Sequence, residues 1–146
     1  IHARTRKEMS KVPARWEFVK RAVEIRNELG SNTLILGNGD ALNIEDARKK
    51  CEETGADGVM LGRAIFGMPW LFSEKVPTLE ERLLVMVEHT KLFQKNLGEV
   101  KNFAVMKKHY KAYVNSFDGA GELRAKLMEA SNAEEVEDIV KNFLYN

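Results

Sequence analysis

The stretch LILGNGDALNIEDARKKCEETGADGVMLGRAIFGMPW, residues 34–70, decides the fold. It holds two short apolar runs, each closing on glycine beside a polar residue: Gly37-Asn38-Gly39-Asp40 and Gly62-Arg63. A segment with helical spacing lies between them. The pattern predicts a buried strand over 33–36 and a second strand over 58–61. Asn43 is placed to cap the intervening helix, with Asp46 three residues on as a variant of the capping box. Ala47, Cys51 and Thr54 form its inner face, and Gly55 stops it. A single helical turn is expected over 64–66, before Pro69.

Working outward, Ile1 to Ala3 reads as the end of a strand, and Arg4 to Val12 as a polar loop. Pro13 suits a helix start. Trp16, Phe18, Val19, Ala22, Val23, Ile25 and Leu29 give that helix a broad apolar face, which Gly30 closes. Strands alternating with helices imply parallel βαβ units, so the first part is α/β. Three strands with two crossover helices cannot cover both faces of a sheet, and they read as the last part of a larger α/β fold. The opening IHARTR, with no methionine, reads as the inside of a longer chain.

Composition changes near Val76-Pro77. Leu79, Leu83, Met86, Val87, Thr90, Phe93 and Leu97 stand at helical spacing, and Gly98 breaks the stripe. Phe103, Met106, Tyr110, Tyr113, Val114 and Phe117 form a second stripe. Leu123, Leu127 and Met128 form a third. Asn132 caps a fourth, with Val136, Ile139, Val140, Phe143 and Leu144. The expectation is a barrel-like α/β part over 1–76 followed by an all-α bundle over 77–146.

The 146 residues carry a net charge of +1, so overall charge demands no polyanionic partner. The hydrophobic share of 44% and charged share of 31% suit a soluble globular protein. One cysteine excludes an internal disulfide framework and suits a reducing compartment, so a cytoplasmic location is expected. No apolar run reaches membrane-spanning length, and no His/Cys cluster has metal-ligand spacing. Cys51, between a helix middle and Glu52-Glu53, reads as a structural thiol.

A strand ending in Asn-Gly-Asp leaves backbone N–H groups at its tip. A glycine there lets an anion approach closely. In (β/α)₈ barrels a phosphate site commonly lies between the loops after strands 7 and 8 and a short extra helix. Either glycine turn alone reads better as an ordinary strand end. The two in succession, with the short helix, favour phosphate. Asp40 would contribute its backbone N–H, its side chain bracing the loop, and Arg63 could offer its guanidinium.

IHARTR, Trp16, GNGD, TGADGVMLGRA and PWLF, in that order and spacing, resemble the C-terminal half of the tRNA-dihydrouridine synthase catalytic barrel. MKKHYKAY, residues 106–113, resembles that family's Arg-Lys-His helix, and ELRAKLMEA the helix after it, with Arg124. The resemblance implies a (β/α)₈ TIM barrel with an appended helical bundle, FMN as cofactor, NADPH as reductant and tRNA as substrate. His2 would lie beside the flavin. Asn38, Gly39, Asp40, Gly62 and Arg63 would cradle its phosphate, and Arg4 would face the RNA. The family's catalytic cysteine and flavin-contacting lysine would lie before Ile1, leaving no catalytic residue in this chain. Lys107 stands where the family usually has arginine, which reduces a bidentate contact to a point charge.

Between Val100 and Phe117 there are four lysines, one histidine and no acid. Lys107, Lys108, His109 and Lys111, with Arg124, are the candidate RNA contacts. Lysines also populate ordinary solvated faces, and both readings stand at this level. Two other functions stay open: a different FMN- or phosphate-binding barrel oxidoreductase, and a non-catalytic RNA-binding helical module. By itself the chain is expected to be inactive, to hold FMN weakly, and to self-associate through open strand edges.

Overall fold

The computed structural model describes residues 1–8, 10–73 and 75–145. They form two compact units, 1–65 and 66–146.

The first unit is mixed α/β. Its elements are α1 (Glu17–Glu28), β1 (Leu36–Asn38), α2 (Ile44–Thr54), β2 (Gly58–Met60) and a 3₁₀ turn over Arg63–Ile65. β1 and β2 are parallel, with Leu36 opposite Gly58, Gly37 opposite Val59 and Asn38 opposite Met60. α2 is the crossover between them, as parallel pairing requires. On the other edge of β1, His2 makes a parallel bridge to Asn38. Its bonds are Ala3 N–H to the Asn38 carbonyl at 2.9 Å and Asn38 N–H to the Ile1 carbonyl at 2.8 Å. The first expected strand is thus a single bridge.

Two boundaries differ from expectation. The helix expected from Pro13 begins at Glu17. The amides just before it are already engaged: Ala14 N–H donates to Asp40 and Arg15 N–H to the Ala3 carbonyl. That ties residues 13–15 across the sheet end instead of into a helical turn. The strand expected over 33–36 lies at 36–38. Asp57 explains the shift, because its carboxylate accepts Ile35 N–H at 2.7 Å and its own N–H donates to the Ile35 carbonyl. Those bonds consume Ile35 in a side-chain clasp, and the ladder starts one residue on. The Asn43 cap forms as expected, its side chain accepting Asp46 N–H at 2.8 Å.

The core of this unit is small: Ala3, Val19, Val23 and Ala56, with Ala14, Trp16 and Ile35 packed against them. Much of the expected apolar face of α1 lies outside it. Phe18, Ile25 and Leu29 are exposed, as are Leu34, Leu36, Leu42 and Met60.

The second unit is all-helical: α3 (Leu79–Leu97), α4 (Ala104–Tyr113), α5 (Ala120–Glu129) and α6 (Ala133–Tyr145). Thr78 and Glu81 form a complete capping box at the start of α3. Asn132 caps α6 by accepting Glu135 N–H at 2.9 Å. The four stripes meet in one core that includes Leu83, Met86, Tyr110, Val114, Leu127 and Val136. Composition changes near residue 76, yet the segment from Phe66 already belongs to this unit. Gly67 is buried against the backbone carbonyl of Ala112, and the Phe66 ring stands edge-on to His109 at 5.5 Å. No helix among the described residues is long and apolar enough to cross a membrane.

Candidate functional site

His2, Asn38, Gly39, Asp40, Gly62 and Arg63 come from three separate chain segments, and all line one cavity of about 950 Å³. The parallel register explains the convergence. His2 bridges Asn38, and Asn38 pairs with Met60, so the three segments end level with one another. Each then turns at the same end of the sheet. Asn38 is locked there by its own amide, which donates to the Met60 carbonyl at 2.8 Å. His2 is exposed at the rim, its Nδ1 accepting Arg4 N–H at 3.1 Å.

The glycines have different jobs. A Cβ on Gly37 would lie 2.3 Å from the Trp16 ring, so Gly37 exists to seat the indole. Trp16 Nε1 in turn donates to the Gly39 carbonyl at 2.9 Å. Gly39 has φ +130°, and a Cβ there would lie 2.9 Å from that of Ala14. Backbone conformation and packing therefore both require glycine at 39. Gly62 is the contrast: a Cβ there would meet nothing within 4 Å. Gly62 is the glycine that leaves open space beside the cavity.

Asp40 organises the charges. It adopts φ +50°, a left-handed conformation that aspartate tolerates better than most residues. One carboxylate oxygen forms an ion pair with Arg4 and accepts Ala14 N–H at 2.9 Å. The other holds Arg63 Nη2 at 2.8 Å. Arg4 is the leading cause that holds the Asp40 carboxyl down at about 2, with Ala14 N–H and Arg63 adding to it against the effect of burial. The Arg4 side chain is only 5% exposed, whereas that of Arg63 is 64% exposed. The Arg63 guanidinium is therefore open to solvent and cavity while bonded to Asp40, and its Nη1 donates to Ser10 Oγ at 3.3 Å. The Arg4 guanidinium bonds Asp40 and the Val12 carbonyl, and Arg4 also lines the cavity.

The basic residues of the helical unit divide in the same way. Lys107 Nζ donates to the Met128 carbonyl at 2.6 Å, and Arg124 Nη1 to the Val114 carbonyl at 2.8 Å. Each satisfies a carbonyl at the end of the other's helix, where cations are favoured. Lys108 and Lys111 remain exposed. His109 is half-buried between Phe66 and His89, with ring centroids at 5.5 and 5.3 Å. Burial first, then His89 and Lys108, pushes its pKa below the ordinary value. His89 escaped the sequence reading. Its Nδ1 lies 3.2 Å from the Tyr113 hydroxyl, and burial pushes its pKa down as well. The signal was its position beside Thr90 and three residues after Met86, at the margin of the buried stripe. Among the described residues no group of three or more metal-binding side chains comes together. Cys51 is half-buried on α2.

The family model for dihydrouridine synthase (Dus) matches residues 1–146. A probable tRNA-dihydrouridine synthase of Staphylococcus aureus (strain MRSA252) is 40% identical over 147 residues, covering 98% of this chain and 44% of that protein. One from Staphylococcus epidermidis (strain ATCC 12228 / FDA PCI 1200) is 37% identical, covering 98% and 45%. The probable tRNA-dihydrouridine synthase 2 of Bacillus subtilis (strain 168) is 35% identical, with the same coverage of 98% and 45%. The chain thus spans less than half the length of the curated relatives it matches.

Proposed function

The chain belongs to the dihydrouridine synthase family, and from that premise we propose that it supplies the FMN-phosphate site and a tRNA-facing helical surface to the reduction of uridine in tRNA. One observation carries the reading: six residues picked from separate motifs line a single cavity at one end of a parallel sheet. Bound FMN would supply the hydride for the uracil ring, with NADPH as its reductant.

The residues present fit a phosphate. Arg63 offers an exposed guanidinium, which matches phosphate geometry bidentately. Gly62 keeps the adjoining space clear. Gly39 lines the same cavity, and the Asn38 amide ties its loop to the Met60 carbonyl. His2, at the rim, is placed to meet the flavin side of the ligand.

In the same reading the first unit is the last part of a (β/α)₈ barrel. The Ile1–Ala3 segment, β1 and β2 would be consecutive parallel strands, and the exposed Leu36 and Met60 would face further barrel structure. Lys108 and Lys111 are the cations left free for RNA phosphates. Lys107 and Arg124 would support that surface by fixing the ends of α4 and α5.

Gly62→Val tests the cofactor site, because it adds bulk to the cavity at a position whose Cβ would meet no neighbouring atom within 4 Å. The expected result is at least a tenfold loss of FMN affinity, followed by amide chemical shifts, in a chain that keeps its native spectrum. Unchanged FMN affinity would place the phosphate elsewhere. Gly39→Val is a poorer test, since strain and the Ala14 clash would damage the fold as well.

A further inference from the structure

We propose that Arg4 is the built-in counter-charge of the phosphate site, cancelling Asp40 so that Arg63 carries its positive charge into the cavity. This rests on reading that cavity as the FMN-phosphate site. A carboxylate beside a phosphate is otherwise a liability, since like charges repel. With Arg63 alone as its partner, Asp40 would leave the pair neutral and tie up the guanidinium at the cavity mouth. Arg4 changes the balance. It is almost fully buried and takes one carboxylate oxygen, while Arg63, largely exposed, takes the other. The three groups then sum to one positive charge, and the exposed member is Arg63.

No neighbouring acid offsets this charge. Glu8, the other acid that acts on Arg4, is held by Arg15 at 2.7 and 2.8 Å and by Thr5. Arg6 also lines the cavity, so losing Arg4 weakens the site without abolishing it. Arg4 lines the cavity too, but its guanidinium is engaged by Asp40 and the Val12 carbonyl, so it is a positioning residue that acts through Asp40 and Arg63.

The test follows the amide shifts of Gly62 and Arg63 during titration of the chain with inorganic phosphate, FMN and riboflavin. In the unaltered chain phosphate and FMN should shift both amides, and riboflavin should not. Arg4→Met should weaken phosphate and FMN about tenfold, the scale of one unit charge a few ångströms away in a partly hydrated site. Arg4→Met combined with Asp40→Asn should return to within about threefold of the unaltered chain, because the charge sum is restored. Arg4→Lys should bind normally. A double variant as weak as Arg4→Met would reduce Arg4 to a packing role and overturn the proposal. If Arg4→Met loses the native amide spectrum, Asp40→Asn alone decides: charge compensation requires phosphate binding no weaker than normal, and a weakening overturns it. If the unaltered chain responds to riboflavin as to FMN and ignores phosphate, the cavity reading itself fails, and this inference with it.

Discussion

The two units of this chain are held together by different forces. The helical unit packs one continuous core in which Leu83, Met86, Met106, Tyr110, Leu127 and Val136 are inaccessible to solvent. The α/β unit clusters only small or β-branched buried side chains, Ala3, Val19, Val23 and Ala56, and leaves larger ones outside, with Leu34 and Leu42 more than 70% exposed. It relies instead on directed polar clasps. Asp40 joins Arg4, Ala14 and Arg63; Asp57 joins Arg26 and Ile35; Trp16 reaches the Gly39 carbonyl. Burial scales with apolar area and is indifferent to direction, whereas a clasp fixes geometry. The unit that carries the candidate cofactor site is the one held by direction.

The largest expected effect lies in the helical core. Leu127→Ala should cost about 2–5 kcal/mol by transfer and cavity terms, read as a shifted urea midpoint for the helical signal. A cost below about 1 kcal/mol would mean this core is less tightly packed than its burial indicates, and the contrast between units would collapse.

Next is Gly37→Ala in the α/β unit. Its new methyl would sit 2.3 Å from the Trp16 ring. Overpacking of that kind costs about 1–3 kcal/mol, and Trp16 fluorescence should report the displaced indole. An unmoved emission spectrum would show that the indole seat is not what secures the Gly39 loop.

Acid should separate the units. The Asp40 carboxyl ionises at about 2 when folded, against an ordinary value of 3.8. Its contribution is fully present above the unfolded value and is lost as pH falls from about 4 toward 2. After discounting for partial exposure this amounts to about 1–2 kcal/mol. Asp40→Asn should flatten that segment of the stability profile, and an unchanged slope between pH 4 and 2 would disprove the assignment. The imidazoles of His89 and His109 also have lowered values. A base whose folded pKa is lowered contributes stability above its unfolded value, near 6.5, and loses it as pH falls. The helical unit should therefore begin to soften from about pH 6.5 downward, at a higher pH than the Asp40 clasp, with both imidazoles titrating below 6.5 by NMR.

The smallest stability effects distinguish the lysines of α4. Lys107→Ala removes the donor to the Met128 carbonyl and should cost about 0.5–1.5 kcal/mol. Lys108→Ala with Lys111→Ala should stay within about 0.5 kcal/mol of the parent. On the proposed tRNA surface, the double variant should lower the salt dependence of binding by about two units of slope. If Lys107 alone governs tRNA affinity and the other two do nothing, the division between clasping and free cations is wrong.

The elements were legible because each carried a local signal. The Thr78–Glu81 box, the Asn43 and Asn132 caps and the stripes from Leu79 to Leu144 depend on residues three or four apart, which a sequence displays directly. The candidate cavity was legible for a related reason, since strand ends and their glycine turns are local features whose parallel alignment follows from the βαβ pattern. What escaped were partnerships between distant residues. Arg4 and Asp40 are 36 positions apart, and Lys107 and Met128 are 21 apart. Nothing local distinguishes a buried, paired arginine from one facing RNA, or a capping lysine from a solvated one.

Sequence alone therefore determined the order of elements, the parallel crossover, the helical stripes and the motifs that mark the family. Tertiary structure alone decided which glycine seats an indole and which keeps a cavity clear, where Ile35 leaves the ladder, and which charges are already spent on one another. The physical reason is range. Propensity, capping and periodicity act within a turn or two of chain, whereas the availability of a charge depends on every group that folding brings within a few ångströms of it.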